Sequence, residues 1–339
     1  CKFNVVFCVV KLLFIVVIIF SNYSFGKEFQ KLFEITTPMN QVSNVDMAIN
    51  SSFDVLIYRL TGLNNLSTIK QIAPSVKAKK EFLISYEPIS INDEPYLVSR
   101  FNKDSLLQKL NLLNIPIIGY NRPIIMMLVK IEDGNNSPYI LNTSSNSILD
   151  IQIKNILEDI STTRGVFFEL PVFDLNDLKE LNNLTIFDSE KEVILPNYEF
   201  DFQINLNVAQ SYINKWSITG DLSSQESLSF KSTLDNLRQN LNNLTNNFLL
   251  SFQIPDTQNS IKFIVDGINS YENLVNIQEA MSRLMSIKSV KINSYIDNSI
   301  SYTLEINGDV ESFMKQIEAN PSIQLVEVNQ NIISALLNY

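Results

Sequence analysis

Three acids are the side chains best placed for chemistry: Glu169, Asp174 and Asp177, within or just after the apolar run Gly165-Val-Phe-Phe-Glu-Leu-Pro171. Folds with α/β sheets gather ligands at the carboxyl ends of their strands, so acids there could serve as general acid and base, in the manner of a glycosidase pair. A plainer use competes with that one. Asp174 can cap a short helix from Leu175 to Leu181, and Asp177 favours its first turn. Arg122 and Arg164 each stand just before a predicted strand, where they can pair with nearby acids or hold an anion. Together Arg122, Arg164, Glu169, Asp174 and Asp177 form the candidate ligand or partner site. No residue is assigned as catalytic.

The rest of the inventory narrows the chemistry further. The 339 residues include no His and 2 Cys, both among the first eight positions. A Ser-His-Asp or Cys-His arrangement is therefore out of reach, and zinc would have only carboxylates to bind. No phosphate-cradling glycine loop and no Gly-x-Ser-x-Gly elbow is present, with glycine numbering 8 in all. Asp133-Gly-Asn-Asn-Ser137 has a superficial likeness to a calcium loop. It lacks the second acid, the sixth-position glycine and the closing Glu, and reads instead as a hairpin turn. No metal or cofactor is implied. The net charge of −10 would repel phosphate backbones and anionic lipid surfaces, which argues against nucleic acid as a partner.

These residues must be positioned by a framework, and hydrophobic periodicity supplies one. Residues 1–26 read as a secretory signal: Lys2 and Lys11 provide charge, Leu12 to Phe20 is unbroken apolar sequence, and Ser24 and Gly26 suit a cleavage site. Lys11 splits the longer run from Phe3 to Phe20, so an uncleaved inner-membrane anchor over residues 3–20 is the alternative. Residues 27–120 read as an α+β domain with a helix from Val45 to Leu60, a strand pair around Asn92-Asp93-Glu94, and a helix capped by Asp104. Residues 121–254 read as a central α/β domain. Its heart is strand Pro123–Val129, a helix with Leu149, Ile153, Ile156, Leu157 and Ile160 on one face, and a parallel strand at Gly165–Pro171. A strand pair with the single Trp216 follows, then a long helix from Leu228 to Phe248 that either lies on a sheet or offers a coiled-coil seam. Residues 258–339 run strand, helix, strand, strand, helix, strand, the ferredoxin-like order, ending at Ile323–Val328.

Several short segments also carry a family likeness. They are Leu56-Ile-Tyr-Arg-Leu-Thr-Gly62, Arg100-Phe-Asn102, Asn114-Ile-Pro116, Asn121-Arg-Pro123, Arg164-Gly165 with Leu170-Pro171 and Asp174, then Trp216 and the final Asn338-Tyr339. In that order the chain resembles the DUF2066 family, exported gammaproteobacterial proteins with a domain of unknown function. Ile118 before Gly119 departs from the pattern, which usually has Trp there. The resemblance implies an exported protein without an assigned activity and supplies no catalytic residues. The central region is also similar in fold to the TolB amino-terminal domain, an analogy that does not fix function.

The resulting expectation is a periplasmic, non-enzymatic protein that binds or helps assemble other envelope proteins through its sheet edges. Two rivals remain open: a carboxylate-based hydrolase of envelope glycan, and an inner-membrane-tethered scaffold.

Overall fold

Asn44 begins the first long helix: its side-chain oxygen accepts the Met47 N–H at 2.9 Å, satisfying one of the donors a helix start leaves open. The computed structural model describes residues 27–134, 137–172, 198–222, 224–254, 257–318, 323–329 and 332–337. The signal reading for residues 1–26, the helix from Leu175 to Leu181, Asp174 and Asp177 lie outside the described residues. Among the described residues the chain is a mixed α+β protein with eight α-helices and five sheets. None of those helices is long and apolar enough to cross a membrane.

The first unit runs β1 (Lys27–Glu28), β2 (Glu34–Pro38), α1 (Val45–Thr61), α2 (Leu66–Ile72), α3 (Val76–Lys80), β3 (Leu83–Ile91), β4 (Glu94–Phe101) and α4 (Lys103–Leu112). Strands β2, β4 and β3 form an antiparallel sheet in that order. The β3–β4 hairpin turns on Asn92 and Asp93, whose φ of 52° and 65° suit a tight turn with two left-handed positions. Ala48, Ile49, Phe53, Leu56, Ile57 and Leu60 of α1 are all buried, as their spacing predicts. The expected cap of α4 is corrected: Asn102, not Asp104, accepts the Ser105 N–H, and Asp104 sits in the first turn, where the helix dipole favours it.

The middle of the chain adds β5 (Ile117–Ile118), β6 (Asn121–Arg122), β7 (Ile124–Glu132), β8 (Tyr139–Ile140), α5 (Ile148–Arg164) and β9 (Phe167–Glu169). It continues with β10 (Phe202–Tyr212), β11 (Lys215–Gly220), β12 (Ser224–Leu228), α6 (Phe230–Leu250) and β13 (Gln253–Ile254). β7 is the axis. It pairs in parallel with β9 and β10, and antiparallel with β8. Ile124 to Val129 are all buried because both faces of β7 are covered. Ile125, Met127, Val129 and Ile131 join the core beneath α5 and α6, while Met126 and Leu128 pack on the other side with Ile140. α5 buries Leu149, Ile153, Ile156, Leu157 and Ile160 in the larger core. Truncating any of these to Ala would remove about 2–5 kcal/mol. α6 lies against α5 and the sheet rather than offering a free seam, with Leu237 and Leu241 fully covered. Trp216 packs edge-on against Phe230 with ring centroids 5.7 Å apart.

The last unit comprises β14 (Gln258–Asp266), α7 (Tyr271–Arg283), β15 (Ile287–Ile296), β16 (Ser299–Asn307), α8 (Val310–Glu318), β17 (Ile323–Asn329) and β18 (Ile332–Leu337). Its sheet order is β15-β16-β14-β18-β17. All six predicted elements are present, and a fifth strand joins them. β18 pairs in parallel with β14 and pushes β17 to the far edge, where a four-strand ferredoxin-like order would have set β17 against β14.

Candidate functional site

Two of the five candidate residues meet at a junction between helix ends. α5 ends at Gly165 in a left-handed conformation, φ 66°, and α1 ends likewise at Gly62, φ 73°. The last four carbonyls of a helix have no partner within it, and its C-terminus carries partial negative charge. Arginines fill that need here. Arg122 is fully buried and donates Nε–H to Gly119 O at 2.7 Å, Nη1–H to Arg59 O at 3.0 Å and to Arg164 O at 3.3 Å, and Nη2–H to Ile118 O at 3.0 Å. Arg59, also buried, reaches from α1 to the end of α5, donating to Thr162 O at 2.5 Å and Thr163 O at 3.2 Å. With the Gly165 N–H on Ser161 O at 2.8 Å, all four terminal carbonyls of α5 are satisfied. Arg59 also donates to Lys31 O, Leu32 O and Glu34 O, all between 2.9 and 3.1 Å.

Arg164 completes the cluster in a different way. Its guanidinium lies over the Tyr58 ring, 3.5 Å from the centroid, and Nη2–H donates to Asn246 Oδ1 at 2.7 Å. Its Nε and Nη1 have no hydrogen-bond partner among the described residues and rely on the cation–π contact. Burial lowers Arg59 to about 9, with Glu34 opposing the drop, and lowers Arg164 to about 10, with Tyr58 opposing it. Burial, with the charges of Arg59 and Arg164, pulls Arg122 well below the ordinary arginine value. Neither Arg122 nor Arg164 forms an ion pair among the described residues; backbone carbonyls and an aromatic face take the place of the acids expected from sequence.

The acids do not join this cluster. Glu169 closes β9, half buried, in register with Met126 of β7, and its side chain makes no hydrogen bond or ion pair among the described residues. Asp174 and Asp177 fall outside the described residues. Asp133 follows β7, which pairs antiparallel with β8 directly beyond it, the arrangement of a hairpin. Sequence reasoning overlooked Arg59. The signal was present: a charge on the face of α1 that carries Leu56 and Leu60, where a solvated arginine has no place.

The open feature lies elsewhere, between α4 and the last unit. A cleft of ≈ 470 Å³, within the usual range for binding sites, separates Lys103 and Leu107 of α4 from Val290 and Ile292 of β15, with Met281 and Tyr302 also on its wall. Lys103 Nζ–H donates to Ser282 O across it. Among the described residues β15 is hydrogen-bonded to β16 alone. Val290, Ile292 and Tyr295 are 46%, 53% and 56% exposed. A second, more polar cavity of ≈ 360 Å³ between α1, α5 and α6 has Tyr58, Asp159, Asp235 and Asn242 on its wall, with Arg238 bound to Asp159. Comparison with protein families, with characterised proteins and with solved structures finds no match for this chain.

Proposed function

We propose that this chain is an exported, non-enzymatic accessory of the cell envelope that binds other envelope proteins along a sheet edge. One observation carries the reading: β15 offers a ten-residue edge, bonded on one side only among the described residues, with apolar side chains half exposed over a cleft. Bare edges recruit further strands, and strand addition is a recurring mode of peptide recognition. Export rests on the charged and apolar pattern of residues 1–26.

Kinship with the DUF2066 family belongs to the same proposal. What supports it is spatial: the segments bearing Arg59, Arg122 and Arg164 are all part of the resembling set, lie far apart in sequence, and converge in one cluster. At the level of fold, the central sheet is read as similar to the TolB amino-terminal domain, and the last unit as ferredoxin-like with an added strand.

The test is site-specific photocrosslinking in living cells. A photoreactive residue at position 292 should give discrete adducts with envelope proteins, whereas one at position 213, on the exposed β10–β11 turn, should not. Equal labelling from both sites, or none from position 292, overturns the binding reading. Fractionation of the same cells should place the chain outside the cytosol, and recovery of a full-length cytosolic product overturns export.

A further inference from the structure

The chemistry of the β15 edge specifies what it can accept, and this inference rests on the reading of that edge as a binding site. Residues 287–296 hold two charges, Lys288 and Lys291, both basic and both exposed, in a chain whose net charge is −10. Register shifts fall between Ile287 and Ser289 and between Ile292 and Ser294, leaving Ser289 to Ile292 as the regular stretch that a new strand could follow. Side chains alternate along that stretch. Val290 and Ile292 point to the cleft side, paired with the core-facing Leu304 and Tyr302. Lys291 faces the other side, where cross-strand pairing sets it in one row with Thr303 and Lys262.

The opposing charges are few. Among the described residues Asp104 is the one acid on the cleft wall, which also carries Lys103 and Lys288. On the open face Glu305 accepts the Ser289 hydroxyl at 2.9 Å. Bulges and lysines on an edge discourage indiscriminate strand pairing, and the same devices discriminate between partners by repulsion.

We infer that β15 accepts an extended segment of another protein in which apolar residues alternate with acidic ones. The apolar row enters the cleft over Val290 and Ile292, and the acidic row on the opposite face meets Lys291, with Lys262 two strands further in. Register shifts at both ends of the regular stretch limit the recognised core to about four residues, the length of Ser289–Ile292. Basic or uniformly apolar strands lack the charge match.

The experiment uses the full chain and four fluorescein-labelled eight-residue peptides: alternating Glu and Ile, alternating Lys and Ile, alternating Ser and Ile, and the Glu–Ile peptide N-methylated at alternate backbone nitrogens. Fluorescence anisotropy is read at 20 and 200 mM salt. The acidic peptide should bind at least tenfold more tightly than the basic and Ser-containing ones, lose affinity with salt, and fail when N-methylated. Lys291→Glu, at an exposed position that leaves the fold intact by circular dichroism, should reverse the preference between acidic and basic peptides. Equal binding of all three unmethylated peptides that is still lost on N-methylation overturns the charge inference and leaves strand addition standing. Undiminished binding of the N-methylated peptide overturns strand addition. If no peptide binds, or light scattering shows that copies of the chain already pair through this edge, the parent reading falls as well.

Discussion

Replacing Arg122 with methionine tests the arginine junction most directly. The side chain is fully buried and makes four hydrogen bonds, to the carbonyls of Gly119, Arg59, Arg164 and Ile118. Bonds from a charged donor contribute roughly 1.5–3 kcal/mol each, and a buried acceptor left without a partner costs about 1–3 kcal/mol. Against this stands the penalty of holding a guanidinium out of water, several kcal/mol, along with its repulsion from Arg59 and Arg164. In a buried ion pair exchanged whole for apolar residues, relief of that penalty can win. Here it cannot be fully recovered, because methionine removes the donors and leaves the four carbonyls in place. The balance is a loss of about 3 kcal/mol, set by unsatisfied acceptors at the negative ends of two helices. Trp216, the single tryptophan, is buried against Phe230 in the central sheet, so its fluorescence reports urea unfolding of that region. The midpoint should fall clearly in Arg122→Met. Combining it with Arg59→Met should cost more than the two losses added, since either change alone already relieves the one repulsion between them and the pair cannot relieve it twice. A variant as stable as the wild type, or more so, would refute the view that the carbonyls outweigh the cost of burying the charge.

Two further outcomes follow from single atoms. At Gly220, φ is 108° and an added Cβ would lie 2.2 Å from the Asn205 carbonyl oxygen, so Gly220→Ala must shift backbone in the β10–β11 pair. It should lower stability by more than about 2 kcal/mol in the same urea titration, and an unchanged midpoint would contradict the geometry. Tyr302 carries a buried hydroxyl with no partner among the described residues, and burial raises it from 10.0 to about 12. The unfolded chain then loses this proton first as pH rises. The group's contribution is fully present below pH 10 and is lost between pH 10 and about 12. Tyr302→Phe should be about 1 kcal/mol more stable at pH 7 and should lack that alkaline decline in thermal melts from pH 9 to 11.

How much of this could be read in advance depended on whether the controlling contact was local. The helix of α5 was legible because Leu149, Ile153, Ile156, Leu157 and Ile160 repeat at helical spacing, and all five are buried. β7 and β9 were legible as parallel neighbours because apolar runs and an intervening helix of that length leave few other arrangements. β18 was not. Ile332-Ile-Ser-Ala-Leu-Leu337 has no clear alternation, and its strand character comes from the free edge of β14, more than sixty residues earlier. The pairings of β1 with β6 and β5 with β13 span two residues each, too short for any period to show. Arg122 and Arg164 stood out as candidates, but their partners are backbone carbonyls, and a residue's type says nothing of where distant carbonyls will point. The cleft was invisible for the same reason, being formed by α4 and β15, nearly two hundred residues apart.

The arginine junction and the cleft are joined by one short segment. Arg122 holds the carbonyls of Ile118 and Gly119 from one side. On the other, β5 pairs with β13, Ile118 opposite Gln253 and Ile117 opposite Ile254, just before the last unit begins. Gly119 packs against both elements: an added Cβ would make ordinary van der Waals contact, 3.5 Å from Ile254 and 3.9 Å from Met285. Ile254 and Met285 are themselves buried in the core of the first unit, and Met285 also borders the cleft. The position of β15 relative to α4 therefore depends on residues 117–119, which depend in turn on a buried guanidinium. A change that frees Arg122 from its carbonyls acts on the cleft through packing, without touching any residue that lines it.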